Sequence, residues 1–183
     1  MTRNKSIYLL VDTSGSMEGI GMKSLDEVVE NVIPRLKSVQ SSQPDVKLGI
    51  GVIGFGDTAV WITPTSVSVD QWIWQGLESK GFTAMGGALR LLHERLAEED
   101  NNASFLAPLI LIASDGGPTD EYEQTLAQLH SLDNFKSATR IAIAIGDDAD
   151  RETLREITGS DTRIFTTDQI DQIINAIENN LYI

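Results

Sequence analysis

Short apolar runs alternate with segments of helical periodicity along the chain, and this alternation limits the folds that the chain can adopt. The runs at 6–11, 46–55, 107–113 and 140–145 are nearly continuous in apolar residues, as parallel strands covered on both faces are. Apolar residues between them recur at three- and four-residue spacing, which predicts helices. Strands that alternate with helices form mainly parallel sheets with right-handed crossovers. We therefore predict one α/β domain over residues 1–183, with a doubly wound sheet and helices on both faces.

The same patterns predict two further strands and five helices. A third strand at 58–63 follows a tight-turn signal at Gly56–Asp57, which favours an antiparallel hairpin with the strand before it, and a short sixth strand falls at 163–165. The helices are predicted over Leu25–Ile33, Met85–Leu96, Tyr122–Leu132, Arg151–Ile157 and Ile170–Leu181.

Two stretches interrupt this regular order. Pro34 stands inside the first helical pattern, and because proline lacks a backbone N–H, the helix is predicted to kink or end near Ile33. The stretch 69–77 is ambiguous, and we interpret it as a short helix. The glycines of GIGVIGFG lie within a strand, which favours close helix–sheet packing over a phosphate-binding loop.

Composition excludes several classes of protein. The 14 basic and 27 acidic residues give a net charge of −13, which disfavours sequence-independent binding to nucleic acid and suits cations or basic partners. The absence of cysteine excludes disulfides, thiolate zinc sites and cysteine nucleophiles. No stretch reads as a membrane span or a secretion signal, so a cytoplasmic location is expected.

Oxygen-bearing side chains cluster where two predicted strands end. Asp12, Ser14 and Ser16 follow the first strand, Asp115 follows the fourth, and Thr83 lies in the loop before a helix. Open α/β sheets bind ligands beyond the carboxyl ends of their strands, where the strand order reverses. Carboxylate and hydroxyl oxygens are ligands for magnesium, manganese or calcium. The alternative for the Asp-Thr-Ser-Gly-Ser stretch alone is an ordinary capped turn.

These five residues resemble the metal-ion-dependent adhesion site of the von Willebrand factor type A domain. In that family Asp-x-Ser-x-Ser follows the first strand, a Thr stands in a middle loop, and an Asp follows the fourth strand. Asp12, Ser14, Ser16, Thr83 and Asp115 match this pattern without substitution. The flanks GFTAMGGAL and SDGGPTD further resemble the bacterial TerY-type A domains encoded with tellurite-resistance genes.

The resemblance implies a sheet in the order 3-2-1-4-5-6 with the third strand antiparallel. It implies that the serine hydroxyls bind Mg²⁺, or Ca²⁺ or Mn²⁺, directly, that the threonine binds directly or through water, and that the aspartates often act through water. One coordination position stays open for a Glu or Asp carboxylate of a partner protein. The implied function is a non-enzymatic interaction domain in a bacterial tellurite-resistance or chemical-stress system.

Enzymatic alternatives lack residues that they need. A phosphatase-like α/β hydrolase with Asp12 as nucleophile requires a second acid two residues later, where this chain has Ser14. A serine hydrolase built on Ser16 lacks the nucleophile-elbow motif. Its only candidate bases are His93, beside an apolar helix face, and His130, near a helix C-terminus, and both are interpreted as structural.

A few other residues are candidates for contacts or caps. Tryptophans are mostly core residues, but Trp72 and Trp74 stand in the polar stretch QWIW and are candidates for a partner surface. Asp120 is interpreted as the N-cap of the helix that follows it. Asp147 and Asp148 end the fifth strand as solvated loop carboxylates, with a second cation site as the alternative.

Overall fold

A single mixed sheet carries all six strands of the chain's described part. The computed structural model describes residues 2–181, apart from the side chains of residues 64–66. The strands are β1 (Arg3–Asp12), β2 (Val46–Phe55), β3 (Ala59–Ser68), β4 (Phe105–Ser114), β5 (Thr139–Ala144) and β6 (Ile164–Thr166). The helices are α1 (Ile20–Ser42), α2 (Met85–Asp100), α3 (Glu123–Leu129), α4 (Asp133–Ser137), α5 (Arg151–Thr158) and α6 (Ile170–Leu181).

The order of the strands confirms the predicted topology. The sheet reads β3-β2-β1-β4-β5-β6, and β3 pairs with β2 antiparallel while the other neighbours are parallel. β1 lies between β2 and β4, so the order reverses beside β1. The carboxyl ends of β1 and β4 therefore meet at the edge where ligands bind in open α/β sheets.

Two apolar layers cover the two faces of the sheet. Ile7, Leu9 and Val11 of β1 point to the layer formed with α1 and α6, while Tyr8 and Leu10 point to the layer formed with α2, α3, α4 and α5. This alternation is the two-residue period of a strand that is buried on both sides. The continuous apolar runs of the sequence thus reflect a sheet covered on both faces.

The glycines of β2 make room for aromatic rings. A Cβ atom on Gly51 would lie 3.0 Å from the Trp61 ring and 3.2 Å from the Tyr8 ring. The two rings meet edge to face with centroids 6.2 Å apart. The close packing at Gly51 is therefore with side chains of the neighbouring strands and not, as predicted, with a helix.

Pro34 does not end the first helix, so the predicted end near Ile33 is wrong, while a kink there stays a prediction. α1 runs from Ile20 to Ser42 with Pro34 inside it. Pro34 is exposed, as is Glu30, whose carbonyl loses its hydrogen bond to the missing N–H. Water can reach that carbonyl, and the buried side chains Val32 and Leu36 hold the helix on the sheet across the interruption.

Two other segments differ from their predictions. Residues 69–77 contain no helix: a turn follows β3, and an irregular segment then leads towards α2. The helix predicted over Tyr122–Leu132 is divided into α3, which ends at Leu129, and the short α4, which begins at Asp133 and buries Phe135. Within residues 2–181, none of the helices combines the length and the apolar character that crossing a membrane requires.

Candidate metal centre

The carboxyl edge of the sheet brings two aspartates from distant parts of the chain together. Asp12 is the last residue of β1, and Asp115 follows the last residue of β4. Because β1 and β4 pair in parallel with Val11 opposite Ala113, Asp12 lies beside Ser114. The predicted juxtaposition of the two carboxylates thus follows from the strand order.

Asp12 organises the first loop from a fully buried position. None of its surface is exposed. Its Oδ1 accepts a hydrogen bond of 2.8 Å from the Ser14 N–H, and its Oδ2 accepts one of 2.5 Å from the Ser114 hydroxyl. Both donors are neutral. A buried carboxylate that has only neutral partners carries an uncompensated charge, which a cation at this edge would stabilise.

The two serine hydroxyls and Asp115 form one connected group. The Ser14 and Ser16 hydroxyl oxygens lie 3.0 Å apart, and the Ser16 hydroxyl donates to Asp115 Oδ1 at 2.9 Å. Burial raises the pKa of Asp115, and the negative charge of Asp12 adds to this increase, while the hydrogen bond from Ser16 opposes it. A cation bound here would reverse the balance by favouring the charged carboxylate.

Thr83 reaches the same edge through its backbone. The Gly15 N–H donates to the Gly81 carbonyl at 2.9 Å, which joins the Thr83 loop to the serine loop. Thr83 and Thr119 also bond to each other twice: the Thr83 N–H donates to the Thr119 hydroxyl, and the Thr119 N–H donates to the Thr83 carbonyl, both at 3.0 Å. Thr83 is 6% exposed, and within residues 2–181 its hydroxyl makes no hydrogen bond to the other four candidates.

The turn between β2 and β3 fixes the Thr83 loop, a role that the sequence reading did not assign. Gly81 has φ +80°, and a Cβ atom there would lie 2.0 Å from Asp57 Oδ1. That carboxylate oxygen accepts the Phe82 N–H at 3.0 Å. The Ala84 N–H donates to the Gly56 carbonyl at 2.9 Å. The Gly56–Asp57 pair read as a turn therefore also anchors the loop that carries Thr83.

Asp120 caps a different helix from the one predicted. Its carboxylate accepts the N–H groups of Gly86 at 2.8 Å and Gly87 at 2.9 Å, in the first turn of α2. The N-cap of α3 is Tyr122, which gives no side-chain cap. Free N–H groups of a first helical turn attract a carboxylate from any nearby segment. The sequence did not predict this contact, because a cap residue is expected directly before its helix, and Asp120 is far from α2 along the chain.

The donor set fits a hard divalent cation. It offers two carboxylates and three hydroxyls, all oxygen, which suits magnesium, manganese or calcium. The ion pairs of the described chain are Arg95–Glu98, Lys136–Asp133 and Arg155–Asp161, so none of them neutralises Asp12 or Asp115. No group of three or more His, Cys, Asp or Glu side chains is placed to hold a metal in residues 2–181, so a site here depends on its hydroxyls.

Apolar side chains are exposed near this edge. Phe82, next to Thr83, is 70% exposed, and Ile20, four residues after Ser16, is 83% exposed. The sequence reading assigned no role to either residue. Their unusual exposure within an acidic surface is a signal that only the structure supplies.

The tryptophans are placed otherwise than predicted. Trp72 is 6% exposed and packs in the apolar layer with α1, so the prediction that it forms a partner surface is wrong. Trp74 is partly buried, and its indole N–H donates to Asp26 Oδ1 at 2.7 Å. The two rings contact each other edge to face with centroids 6.1 Å apart. A partner contact by Trp74 stays a prediction.

The remaining candidates lie outside the connected group. His93 lies within α2, and His130 follows α3 and contacts the Phe135 ring edge to face. Burial and the nearby charge of Arg140 lower the pKa of His130, which disfavours the protonated imidazole expected at the end of a helix. Asp147 and Asp148 are exposed in the loop after β5, as predicted, and a second cation there stays a prediction.

Comparisons with known proteins agree on the fold. The sequence profile of the von Willebrand factor type A domain matches residues 6–179. The inter-alpha-trypsin inhibitor heavy chain H2 of Sus scrofa is 28% identical over 97% of this chain, which spans only 20% of that relative.

Two solved structures with a similar fold are described as holding a metal. The manganese-loaded TRAP protein of Plasmodium vivax superposes with a TM-score of 0.73 at 18% identity, over 98% of this chain and 74% of that one. The mussel byssus proximal thread matrix protein 1 with a zinc-occupied MIDAS motif gives a TM-score of 0.64 at 16% identity, over 98% of this chain and 46% of that one. At these identities the likeness shows a shared fold. With the profile match over almost the whole length, it follows that the chain belongs to the von Willebrand factor type A domain family.

Proposed function

We propose that this chain binds one divalent cation with Asp12, Ser14, Ser16, Thr83 and Asp115 and uses it to hold a Glu or Asp side chain of a partner protein. Domains of this family are typically metal-dependent protein-interaction modules. The observation that carries the proposal is the connected group of Ser14, Ser16 and Asp115, with both hydrogen bonds at 3.0 Å or less, beside a buried Asp12 that has no cationic partner.

Each residue has a distinct part in this proposal. The Asp12 carboxylate orients the serine loop by accepting a hydrogen bond from the Ser14 N–H, and it supplies buried negative charge beside the cation. The Ser14 and Ser16 hydroxyls and Asp115 supply oxygen donors, and the loop contact between Gly15 and Gly81 keeps Thr83 at the same edge. A bound cation supplies an open coordination position that a carboxylate of the partner fills. Without it, the surface of a chain with net charge −13 repels an acidic partner.

The choice of cation follows from donor chemistry. Manganese and zinc are named for two proteins that share this fold, which supports a divalent ion. An all-oxygen donor set favours magnesium, manganese or calcium over zinc. We propose Mg²⁺ as the resident ion, with Ca²⁺ or Mn²⁺ as substitutes.

The exposed apolar side chains favour a protein as the partner. Phe82 is held outward by the Asp57 hydrogen bond to its own N–H, one residue before Thr83. An aromatic side chain in that position buries apolar surface against the partner, next to the contact that the partner makes with the metal. We propose that Phe82 contacts the partner beside its carboxylate.

The biological setting is proposed from the sequence flanks. GFTAMGGAL and SDGGPTD resemble TerY-type A domains, which favours a cytoplasmic role in a bacterial tellurite-resistance or chemical-stress system. The inter-alpha-trypsin inhibitor heavy chain is an alternative source of functional analogy, but this chain spans only 20% of its length.

A phosphatase-like activity of Asp12 is disfavoured by the geometry. Both carboxylate oxygens accept hydrogen bonds within the protein, and the side chain has no exposed surface from which to attack a phosphoryl group. Ser14 stands where such an enzyme needs its general acid. Assays on generic phosphate esters with Mg²⁺ should therefore show no turnover, and turnover that Asp12→Asn removes would favour the enzyme instead.

The decisive experiment is capture of a partner with and without metal. The chain is immobilised and exposed to cell extract in Mg²⁺ or in EDTA, and the same is done with Asp12→Ala, Ser14→Ala and Phe82→Ser. We expect capture of an acidic partner in Mg²⁺ only, loss of capture in the first two variants, and weaker capture by Phe82→Ser. Glu152→Ala is the matched control, since this exposed carboxylate lies in the first turn of α5 and is not among the candidate cation ligands. Equal capture under all conditions would remove the proposal.

A further inference from the structure

Ser114 lies beside the candidate metal centre and is not one of its five proposed ligands. It is the last residue of β4, and none of its surface is exposed. Its hydroxyl oxygen lies 2.5 Å from Asp12 Oδ2, 3.1 Å from the Gly116 carbonyl oxygen and 3.3 Å from the Gly116 nitrogen. One buried hydroxyl therefore contacts both segments that carry the proposed carboxylate ligands.

The single hydrogen of the Ser114 hydroxyl has two acceptors within reach, and it can be donated to only one of them. The Asp12 carboxylate is the nearer acceptor. A hydrogen bond to a charged acceptor is also about twice as strong as a hydrogen bond to a neutral carbonyl. The hydroxyl therefore donates to Asp12, which leaves its oxygen free to accept the Gly116 N–H.

The orientation of the Asp12 carboxylate depends on this hydroxyl. In the part of the chain that the structure describes, Oδ2 accepts its hydrogen bond from Ser114, while Oδ1 accepts the Ser14 N–H at 2.8 Å. Because Asp12 has no exposed surface, bulk water cannot replace a lost donor. A buried carboxylate oxygen without a donor is unfavourable. Loss of the Ser114 hydroxyl would therefore favour rotation of the carboxylate away from the Ser14 N–H.

The same hydroxyl also restrains the segment that carries Asp115. Asp115 stands between Ser114 and Gly116, so the hydrogen bond from the Gly116 N–H to the Ser114 hydroxyl closes a turn around it. The Asp115 carboxylate then accepts the Ser16 hydroxyl at 2.9 Å. Ser114 thus links the position of one proposed carboxylate ligand to the position of the other.

We infer that Ser114 is a positioning residue of the metal centre, whose buried hydroxyl orients Asp12 and Asp115 towards the cation without contacting it. The inference rests on the proposed function, since it concerns the same cation. Residues that hydrogen-bond to metal ligands fix the geometry of those ligands, and their replacement typically weakens metal affinity by about 10–100-fold. The five proposed ligands therefore need a sixth side chain to hold two of them in place.

The test compares Ser114→Ala with Ser6→Ala by calorimetric titration of Mg²⁺ into the full chain. Ser6 is the matched control, because it is also a buried strand serine whose hydroxyl donates to a buried carboxylate, that of Glu99, at 2.9 Å. We expect Ser114→Ala to bind Mg²⁺ about tenfold or more weakly than wild type, and Ser6→Ala to keep the wild-type affinity.

The outcomes separate this inference from the proposed function. Binding of Mg²⁺ by wild type with unchanged affinity in Ser114→Ala would overturn the inference alone. A wild-type chain that binds no Mg²⁺ would overturn the proposed function and the inference with it. If Ser114→Ala does not fold, Ser114→Cys replaces it, since a thiol is a weak donor of similar size.

A second titration, with Ca²⁺, separates positioning from a general loss of structure. Mg²⁺ requires near-ideal octahedral geometry, whereas Ca²⁺ accepts flexible arrangements of its ligands. Misplaced carboxylates should therefore weaken Mg²⁺ binding more than Ca²⁺ binding, so the ratio of the two Kd values should rise in Ser114→Ala and stay constant in Ser6→Ala. An equal loss of affinity for both ions would assign Ser114 a merely structural role and overturn the inference.

Discussion

The two edges of the sheet each bury a carboxylate, and the difference between them shows which surroundings make a buried carboxylate a candidate metal ligand. At the amino edge, Glu99 is 6% exposed and its Oε1 accepts hydrogen bonds from the Ser6 hydroxyl at 2.9 Å and the Tyr8 hydroxyl at 2.5 Å. Burial raises the pKa of Glu99, while these hydrogen bonds and nearby Arg95 oppose the increase. These partners offset only part of the cost of burial, and both hydrogen-bond donors to Glu99 are side chains of β1.

Asp12 at the carboxyl edge has a different environment. One of its hydrogen-bond donors, Ser14, lies in the loop that carries Ser16, and the other, Ser114, ends β4 directly before the second carboxylate, Asp115. Ser16 is exposed, so the group reaches solvent. Burial of a carboxylate therefore does not identify a site; the convergence of uncompensated oxygen donors at a solvent-facing edge does.

The largest difference between the two edges is expected in the stability that magnesium adds when Asp12 or Glu99 is replaced. At a magnesium concentration 1,000 times Kd, wild type should gain about 4.1 kcal/mol of unfolding free energy over EDTA, and Asp12→Asn should gain almost none. Glu99→Gln should keep the full response, because it lies at the far edge. The measurement is chemical denaturation with and without Mg²⁺. If Asp12→Asn gained as much unfolding free energy from Mg²⁺ as wild type, the distinction between the two edges would be wrong.

Within the carboxyl edge, the loop that carries Thr83 should be more sensitive to added side-chain volume than the loop after β5. Gly81→Ala forces a left-handed backbone and a contact with Asp57, so we expect a cost of about 3 kcal/mol and a weaker magnesium response. Gly146→Ala is the matched control, because its φ is also +80° but no atom lies within 4 Å of the added carbon. It should cost about 1 kcal/mol. Equal losses of unfolding free energy would show that the Asp57 contact is unimportant.

Not every carboxylate near this edge should respond to metal. Asp120→Ala removes the acceptor of two N–H groups of α2, so we expect a loss of about 1–2 kcal/mol in unfolding free energy. The magnesium-induced increase should remain, because Asp120 holds a helix end. Glu152→Ala, at an exposed position outside the candidate cation ligands, controls for the loss of charge. Loss of the magnesium response in Asp120→Ala would place this residue in the metal centre instead.

The smallest effect is expected from pH at the amino edge. The folded pKa of Glu99 lies above its ordinary value of 4.5, so its contribution to stability is complete below 4.5 and is lost as pH rises through the higher folded pKa. Relative to Glu99→Gln, wild type should therefore become less stable over that window. At neutral pH the two should differ by about 1 kcal/mol or less. Parallel pH profiles would show that Glu99 is not held neutral by burial.

The sheet was predictable because its signals are local and repeated. The alternation of apolar runs with helical periods defines a parallel sheet, and the Gly56–Asp57 turn correctly marks the antiparallel hairpin. The proximity of Asp12 to Asp115 followed from strand ends, whereas the strand order itself came from the family resemblance. Ser14 and Ser16 then lie beside Asp115 because they follow β1 directly.

The errors concern contacts that the local sequence does not encode. Pro34 is tolerated because it faces solvent, which depends on how α1 lies on the sheet. Asp120 caps α2, 33 to 34 residues away in sequence, and Trp72 is buried because an irregular segment folds back on the apolar layer. Exposure of Phe82 and burial of Lys5 were likewise invisible, since both depend on neighbours from other elements.

The hydrogen bonds that assemble the candidate metal centre join residues about a hundred positions apart: 99 between Ser16 and Asp115, and 102 between Asp12 and Ser114. No partly folded chain that lacks either β1 or β4 can present the complete donor set. A cation that depends on this set recognises only the finished topology, so it should slow the escape from the native state more than it hastens arrival there. The metal would then slow the unfolding of the completed domain and prolong its lifetime without accelerating its folding.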